Sequence, residues 1–157
     1  MRIGISTLVQ PRGSSGVGVY IRELIKNLQF VDNQNHYELL LPRGYEKQIP
    51  LTNPNFTQQI YSARFSRSLI NLMWHNIGLP QKKYDVLHIP MARRIPLLKQ
   101  TKIVATVHDL AAFSVENKYS RARMLFNRKL VPAMIRRTDR VIAVSQYTKA
   151  DLMRWVD

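Results

Sequence analysis

The chain of 157 residues contains no cysteine. That excludes disulfides, thiolate zinc sites and a cysteine nucleophile, and leaves the redox compartment undecided. Acidic residues are scarce: 10 Asp and Glu stand against 24 Lys and Arg, a formal charge of +14 and a pI near 10.6. A balance this basic points to an anionic partner such as nucleic acid, anionic lipid or a phosphorylated substrate. No apolar run approaches the ~18–20 residues that span a bilayer. Met1-Arg2-Ile3-Gly4-Ile5 enters a strand-like pattern at once, so no signal peptide is expected and the expectation is a soluble cytoplasmic protein. Repeats and low-complexity tracts are missing too. What is present is 45% hydrophobic and 22% charged, the composition of a chain that buries a core, and its length suits one domain.

The positive charge is concentrated. Residues 62–140 hold 16 Lys or Arg and 4 Asp or Glu, a balance of +12, whereas the remainder holds 8 and 6. Tyr119 to Arg137 carries Arg121, Arg123, Arg128, Lys129, Arg136 and Arg137 without an acid. Two readings stand, a solvated helical face or an anion-facing surface.

Periodicity predicts alternating strands and helices. Arg2–Val9 reads as a first strand. Val17, Tyr20, Ile21, Leu24, Ile25 and Leu28 recur at the spacing of one apolar helical face. Tyr37–Leu41, Thr57–Tyr61, Asp85–Ile89, Lys102–Val107 and Arg140–Val144 read as further strands, and Ser66 to Ile77 as a helix. Tyr119–Arg137 reads as a helix interrupted at Pro132, which cannot donate to the carbonyl of Arg128. Ser145 reads as the N-cap of a helix from Gln146 to about Val156. Late strands that are nearly all apolar indicate an α/β fold, a Rossmann-like parallel sheet with helices on both faces. Ligands bind such sheets beyond the carboxyl ends of the strands. Weight therefore falls on Gly13–Gly18, His88-Ile89-Pro90, His108-Asp109 and Ser145.

Gly13-Ser14-Ser15-Gly16-Val17-Gly18 separates the first strand from the first helix. Free amides and the positive helix end favour a phosphate there; a plain flexible turn is the alternative. No Gly-Lys-Ser/Thr follows, so this is not a Walker A loop. Pro42-Arg43 stands where a dinucleotide site needs an acid, which argues against NAD. His108 and Asp109 follow a strand directly, where an imidazole can hold or move a proton near neutral pH, though Asp109 can equally cap a turn. His88 ends the preceding strand in the same way. Two histidines without a third ligand make no metal case, so no metal is expected. Ser145 is explained by its cap alone. A G-x-S-x-G elbow, the acidic pair of a receiver domain and a basic-aromatic nucleic-acid motif are all missing, and no nucleic-acid partner is expected.

In combination these segments resemble a known family. Ser15-Gly16-Val17-Gly18-Val19-Tyr20-Ile21-Arg22-Glu23-Leu24 resembles the first glycine loop and helix of GT-B glycosyltransferases, nearest the large retaining family four. Asp85-Val86-Leu87-His88, Val107-His108-Asp109-Leu110 and Asp139-Arg140-Val141-Ile142-Ala143-Val144-Ser145-Gln146-Tyr147-Thr148 follow in that family's order and rough spacing. Ser15 departs from it, since a second glycine is common there.

The resemblance implies transfer of a sugar from a nucleotide-diphosphate donor, with retention, to a glycan or lipid-linked acceptor, between two Rossmann-like domains. Residues 1–157 would be the N-terminal, acceptor-side domain. Ser15, Gly16, Val17 and Gly18 would offer amides to the donor diphosphate. His108 would be the catalytic residue at the reacting centre, with His88, Asp109 and Ser145 on the acceptor-side cleft. The nucleotide sugar is a substrate, and no resident cofactor or metal is implied. The Lys/Arg pair and the E-x7-E carboxylates of the family belong to its second domain, into which the family crosses near Asp157. This chain alone is therefore expected not to catalyse transfer, its partner being the donor domain in cis or as a separate subunit. Family acceptors are often membrane-borne. Arg121, Arg128, Lys129 and Arg136 share a face about 100° wide at α-helical geometry, which suggests peripheral contact with an anionic membrane on its inner face. The rival reading is a non-catalytic basic module for anionic membrane or nucleic acid.

Overall fold

A computed structural model describes residues 1–7, 15–61, 78–110 and 126–156. The order is β1 (Arg2–Ser6), α1 (Gly16–Val31), β2 (His36–Pro42), β3 (Phe56–Tyr61), β4 (Val86–Ile89), β5 (Lys102–Val107), α2 (Val131–Arg136), β6 (Arg140–Ala143) and α3 (Gln146–Trp155). The six strands form one sheet in the order β3-β2-β1-β4-β5-β6, and every neighbouring pair is parallel. The expected α/β, Rossmann-like parallel sheet is what the chain forms.

Burial on both faces is clearest in β2. Leu39, Leu40 and Leu41 are each fully buried. Leu39 and Leu41 pack with Ile5, Ile21 and Ile25, on the α1 side. Leu40 packs on the other side with Leu87, Ile89, Ile103, Val107, Met134 and Ile135. A strand with period 2 buried on both faces reads as a continuous apolar run. Gly4 in β1 meets a separate demand. A Cβ built there would lie 2.8 Å from the Tyr84 ring, so the missing side chain is what lets Tyr84 lie against the strand.

Strand bounds differ from the expected ones at the ends. β1 stops at Ser6, and Leu8 and Val9 lie outside the described residues; Thr7 still turns its amide and hydroxyl to the Leu40 carbonyl, at 3.1 and 2.8 Å. β4 starts at Val86; just before it the Asp85 carboxylate accepts from the Arg2 amide at 2.7 Å, and the Asp85 amide donates to the Arg2 carbonyl at 2.9 Å. β6 differs most from expectation. Its apolar side chains were expected to be buried, yet Val141 and Ile142 are 39% and 40% exposed. It is the outermost strand, hydrogen-bonded to β5 alone. The expected helix over residues 66–77 lies outside the described residues.

The interruption at Pro132 takes a definite form. Phe126–Leu130 is a π-helical turn, and α2 restarts at Val131 with Pro132 in its first turn, where a missing amide proton costs nothing. Uniform α-helical angles therefore do not carry across from Arg128 to Arg136, and the shared face drawn for those residues on a regular helix does not describe them.

Candidate functional site

The sheet order sets the site. From β1 the chain steps outward to β2 and β3, then returns past β1 to β4, β5 and β6. The crevice above β1 and β4 is the switch point, where an open parallel sheet has room for a ligand. Three segments meet there: the start of α1, the turn after β4, and His108-Asp109 after β5. They line a pocket of about 180 Å³, with Val17 from α1, Met91, Ala92 and Arg93 after β4, Val107 to Leu110, and Val131 of α2. Pockets that enclose a whole small ligand run to ~300–1,000 Å³, so this one suits part of a ligand, or one wall of a larger cleft.

His108 is half-buried in this wall. Its Nε2 lies 3.0 Å from the carbonyl oxygen of Pro90. A carbonyl only accepts, so Nε2 carries the proton and the neutral ring keeps its lone pair on Nδ1. The Tyr20 ring meets the imidazole edge to face, with centroids 4.9 Å apart and planes at 87°. The His108 carbonyl accepts from the Thr148 hydroxyl at 3.1 Å. Thr148 is held in turn by Ser145, whose Oγ accepts the Thr148 amide at 3.0 Å. Ser145 is thus the cap of α3, as its position suggested. It is exposed and does not line the pocket.

His88 sits below this layer. It neighbours Ile5 and Val104 across the sheet, is 8% exposed, and shares a hydrogen bond of 2.9 Å between Nε2 and the Thr106 hydroxyl. Burial pushes its pKa down to about 4, helped by the nearby charge of His108 when that ring is protonated. A group so enclosed does not face a ligand in the cleft, where His88 was expected. Asp109 is exposed at the pocket.

The glycine loop is described from Ser15 onward. Ser15 caps α1, its Oγ accepting the Gly18 amide at 3.2 Å. Of the four amides expected to face a diphosphate, that of Gly18 is already spent. Val17 reaches the pocket. A Cβ built on Gly16 would meet nothing within 4 Å, and the residue has no positive φ; neither packing nor backbone geometry requires glycine there. Arg128 and Lys129 are exposed on the π-helical turn, beside Leu130. Arg136 is exposed but spends its Nε on the Val156 carbonyl at the end of α3. Arg121 lies outside the described residues. Among the described residues no cluster of three or more His, Asp or Glu could hold a metal, and no helix is long and apolar enough to cross a membrane.

Three contributors carry no distinct signal of their own in the sequence. Tyr20 was absorbed into the apolar face of α1. Thr106 looked like filler in β5, and Arg93 was one cation among many. Strand alternation was the available signal for Thr106: Leu87 and Ile89 point away from α1, so His88 points toward it, and so do Val104 and Thr106 in the paired strand.

The same residues can be compared with known proteins. Residues 14–157 match the family model described as Glycosyltransferase Family 4. No curated protein matches the chain.

Proposed function

Because the chain belongs to glycosyltransferase family 4, we propose that it forms the acceptor side of a retaining transferase cleft, receiving a sugar from a nucleotide-diphosphate donor. The observation that carries this reading is the placement of His108. Its imidazole is pinned through Nε2 in the wall of a pocket at the switch point of the sheet. A neutral ring held that way offers Nδ1 to a substrate hydroxyl, and Arg93 and Asp109 beside it suit the polar groups of a glycan or lipid-linked acceptor. The exposed amide end of α1 at Gly16 and Val17 would face the donor diphosphate, whose leaving charge helix ends and basic side chains stabilise. The nucleotide itself would be held by a second domain, in the same chain or as a subunit.

Calorimetric titration of residues 1–157 with UDP- and GDP-sugars tests the division of labour. The expected result is weak or absent binding. A Kd below about 10 μM, ~ −7 kcal/mol, would contradict it, because the donor site would then be complete in this half.

A further inference from the structure

Beneath the pocket, three polar groups form a chain that the reaction chemistry does not itself require. The Tyr20 hydroxyl lies 3.2 Å from the Thr106 Oγ1, and the same oxygen lies 2.9 Å from the His88 Nε2. Thr106 is fully buried and His88 nearly so. The Thr106 hydroxyl has one proton to donate and two lone pairs to accept with, so one oxygen can serve both neighbours at once. Each group in the row thereby satisfies the next. The row joins α1, β5 and β4, the same elements whose carboxyl-side or amino-side ends build the pocket. At its outer end the Tyr20 ring stands perpendicular against the His108 imidazole. The opposite restraint on that imidazole is the Pro90 carbonyl, one residue beyond β4.

We propose that Tyr20 is a positioning residue for His108, anchored by Thr106 and His88, and that this buried row holds the imidazole with Nε2–H on Pro90 and Nδ1 free for substrate. The proposal deepens the reading of His108 given above and rests on it for its functional consequence, but the geometry it asserts is testable without any substrate. Tyr20 presents two separable features. Its ring limits how far the imidazole can swing. Its hydroxyl fixes where the ring stands. Tyr20→Phe removes only the second, and Thr106→Val removes the anchor while keeping the β-branched shape of the side chain. Thr106→Ser keeps the anchoring hydroxyl.

The test is long-range nitrogen–proton NMR of the histidine rings in residues 1–157, which contain only four histidines. With its ring neutral, His108 of the unaltered chain is expected to show a protonated Nε2 and an unprotonated Nδ1. Tyr20→Phe and Thr106→Val are each expected to draw its two nitrogen signals toward the average of the two tautomers, and Thr106→Ser to retain the native pattern. In the complete enzyme the first two variants should lower kcat about 3- to 10-fold, the loss of one hydrogen bond's worth of ordering, with KM unchanged. Native His108 signals in both Tyr20→Phe and Thr106→Val would overturn the proposal. Should Thr106→Val fail to fold, Tyr20→Phe decides alone, since it adds no atoms. Altered tautomers without a loss of kcat would leave the positioning intact and instead count against the role of His108 in transfer.

Discussion

Replacing His108 with alanine is expected to lower kcat for sugar transfer by about 10²–10⁴-fold, the range for loss of a positioned proton-handling or polar group at a reacting centre. The fold should survive. The imidazole is only half-buried, at the rim of the pocket, and its backbone carbonyl keeps the bond from Thr148 whatever side chain stands there. KM for both substrates should change far less than kcat, because the proposed Nδ1 contact would matter most as charge moves between donor and acceptor. Initial rates with the proposed donor domain present, at saturating donor and acceptor, provide the check. A loss of less than about fivefold would fall outside what such a group contributes and would move His108 from the chemistry to the scaffold.

The second large effect concerns His88 and stability. Its folded pKa of about 4 lies below the ordinary histidine value of 6.5, because burial penalises the charged ring and the neighbouring His108 adds to that penalty. Between those two values the unfolded chain binds a proton that the folded chain does not. Acid therefore favours unfolding over this window. The contribution of neutral His88 is fully present above about pH 7, is lost progressively as pH falls from 6.5 toward 4, and changes little below that. The total amounts to about 3 kcal/mol. Urea unfolding followed between pH 7.5 and 4 should show this slope, and His88→Gln should flatten it. Glutamine can still reach the Thr106 hydroxyl but has no proton to take up. An unchanged slope in His88→Gln would assign the acid sensitivity to the carboxylates instead.

The two histidines show where the sequence was legible and where it was not. His88 lies near the end of β4 and His108 just past β5, the strand paired with it; both come before a turn at the ligand edge, and by sequence position alone both belong in the cleft. Their separation follows from the register. His88 lies inside β4, level with Ile5 and Val104, so α1 closes over it. His108 stands one residue past β5, where the chain has left the sheet. The register sets His88 level with Val104, four residues short of His108, and strand ends, which decide between a core polar group and a cleft group, are the boundaries that periodicity places least well. The sheet itself was easier to read. The run Leu39-Leu40-Leu41 and the strand Ile103-Val104-Ala105-Thr106-Val107 carry so little polar alternation that they suit only two covered faces. β6 has the same composition and is exposed, because composition says nothing of which strand lies outermost. The basic stretch was legible as charge but not as a surface. The π-helical turn before Pro132 rotates Arg128 and Lys129 relative to Arg136, and the Val156 carbonyl engages Arg136. Tyr20 was visible only as an apolar helix position, since nothing in a helical pattern tells a buried ring from one that also carries a hydroxyl to a partner 86 residues away.

If the pocket around His108 is the acceptor side of a transferase cleft, acceptors bind there, and amide and histidine-ring NMR of residues 1–157 can map that binding. Soluble glycans and short-chain lipid-linked sugars would be titrated in turn. An acceptor is expected to shift the signals of Val17, Met91, Arg93, His108 and Asp109 together, with the His108 Nδ1 responding and His88 unmoved. Shifts confined to other surfaces such as the groove between α1 and Pro50, or no response to any acceptor alongside tight binding of a nucleotide sugar, would contradict it.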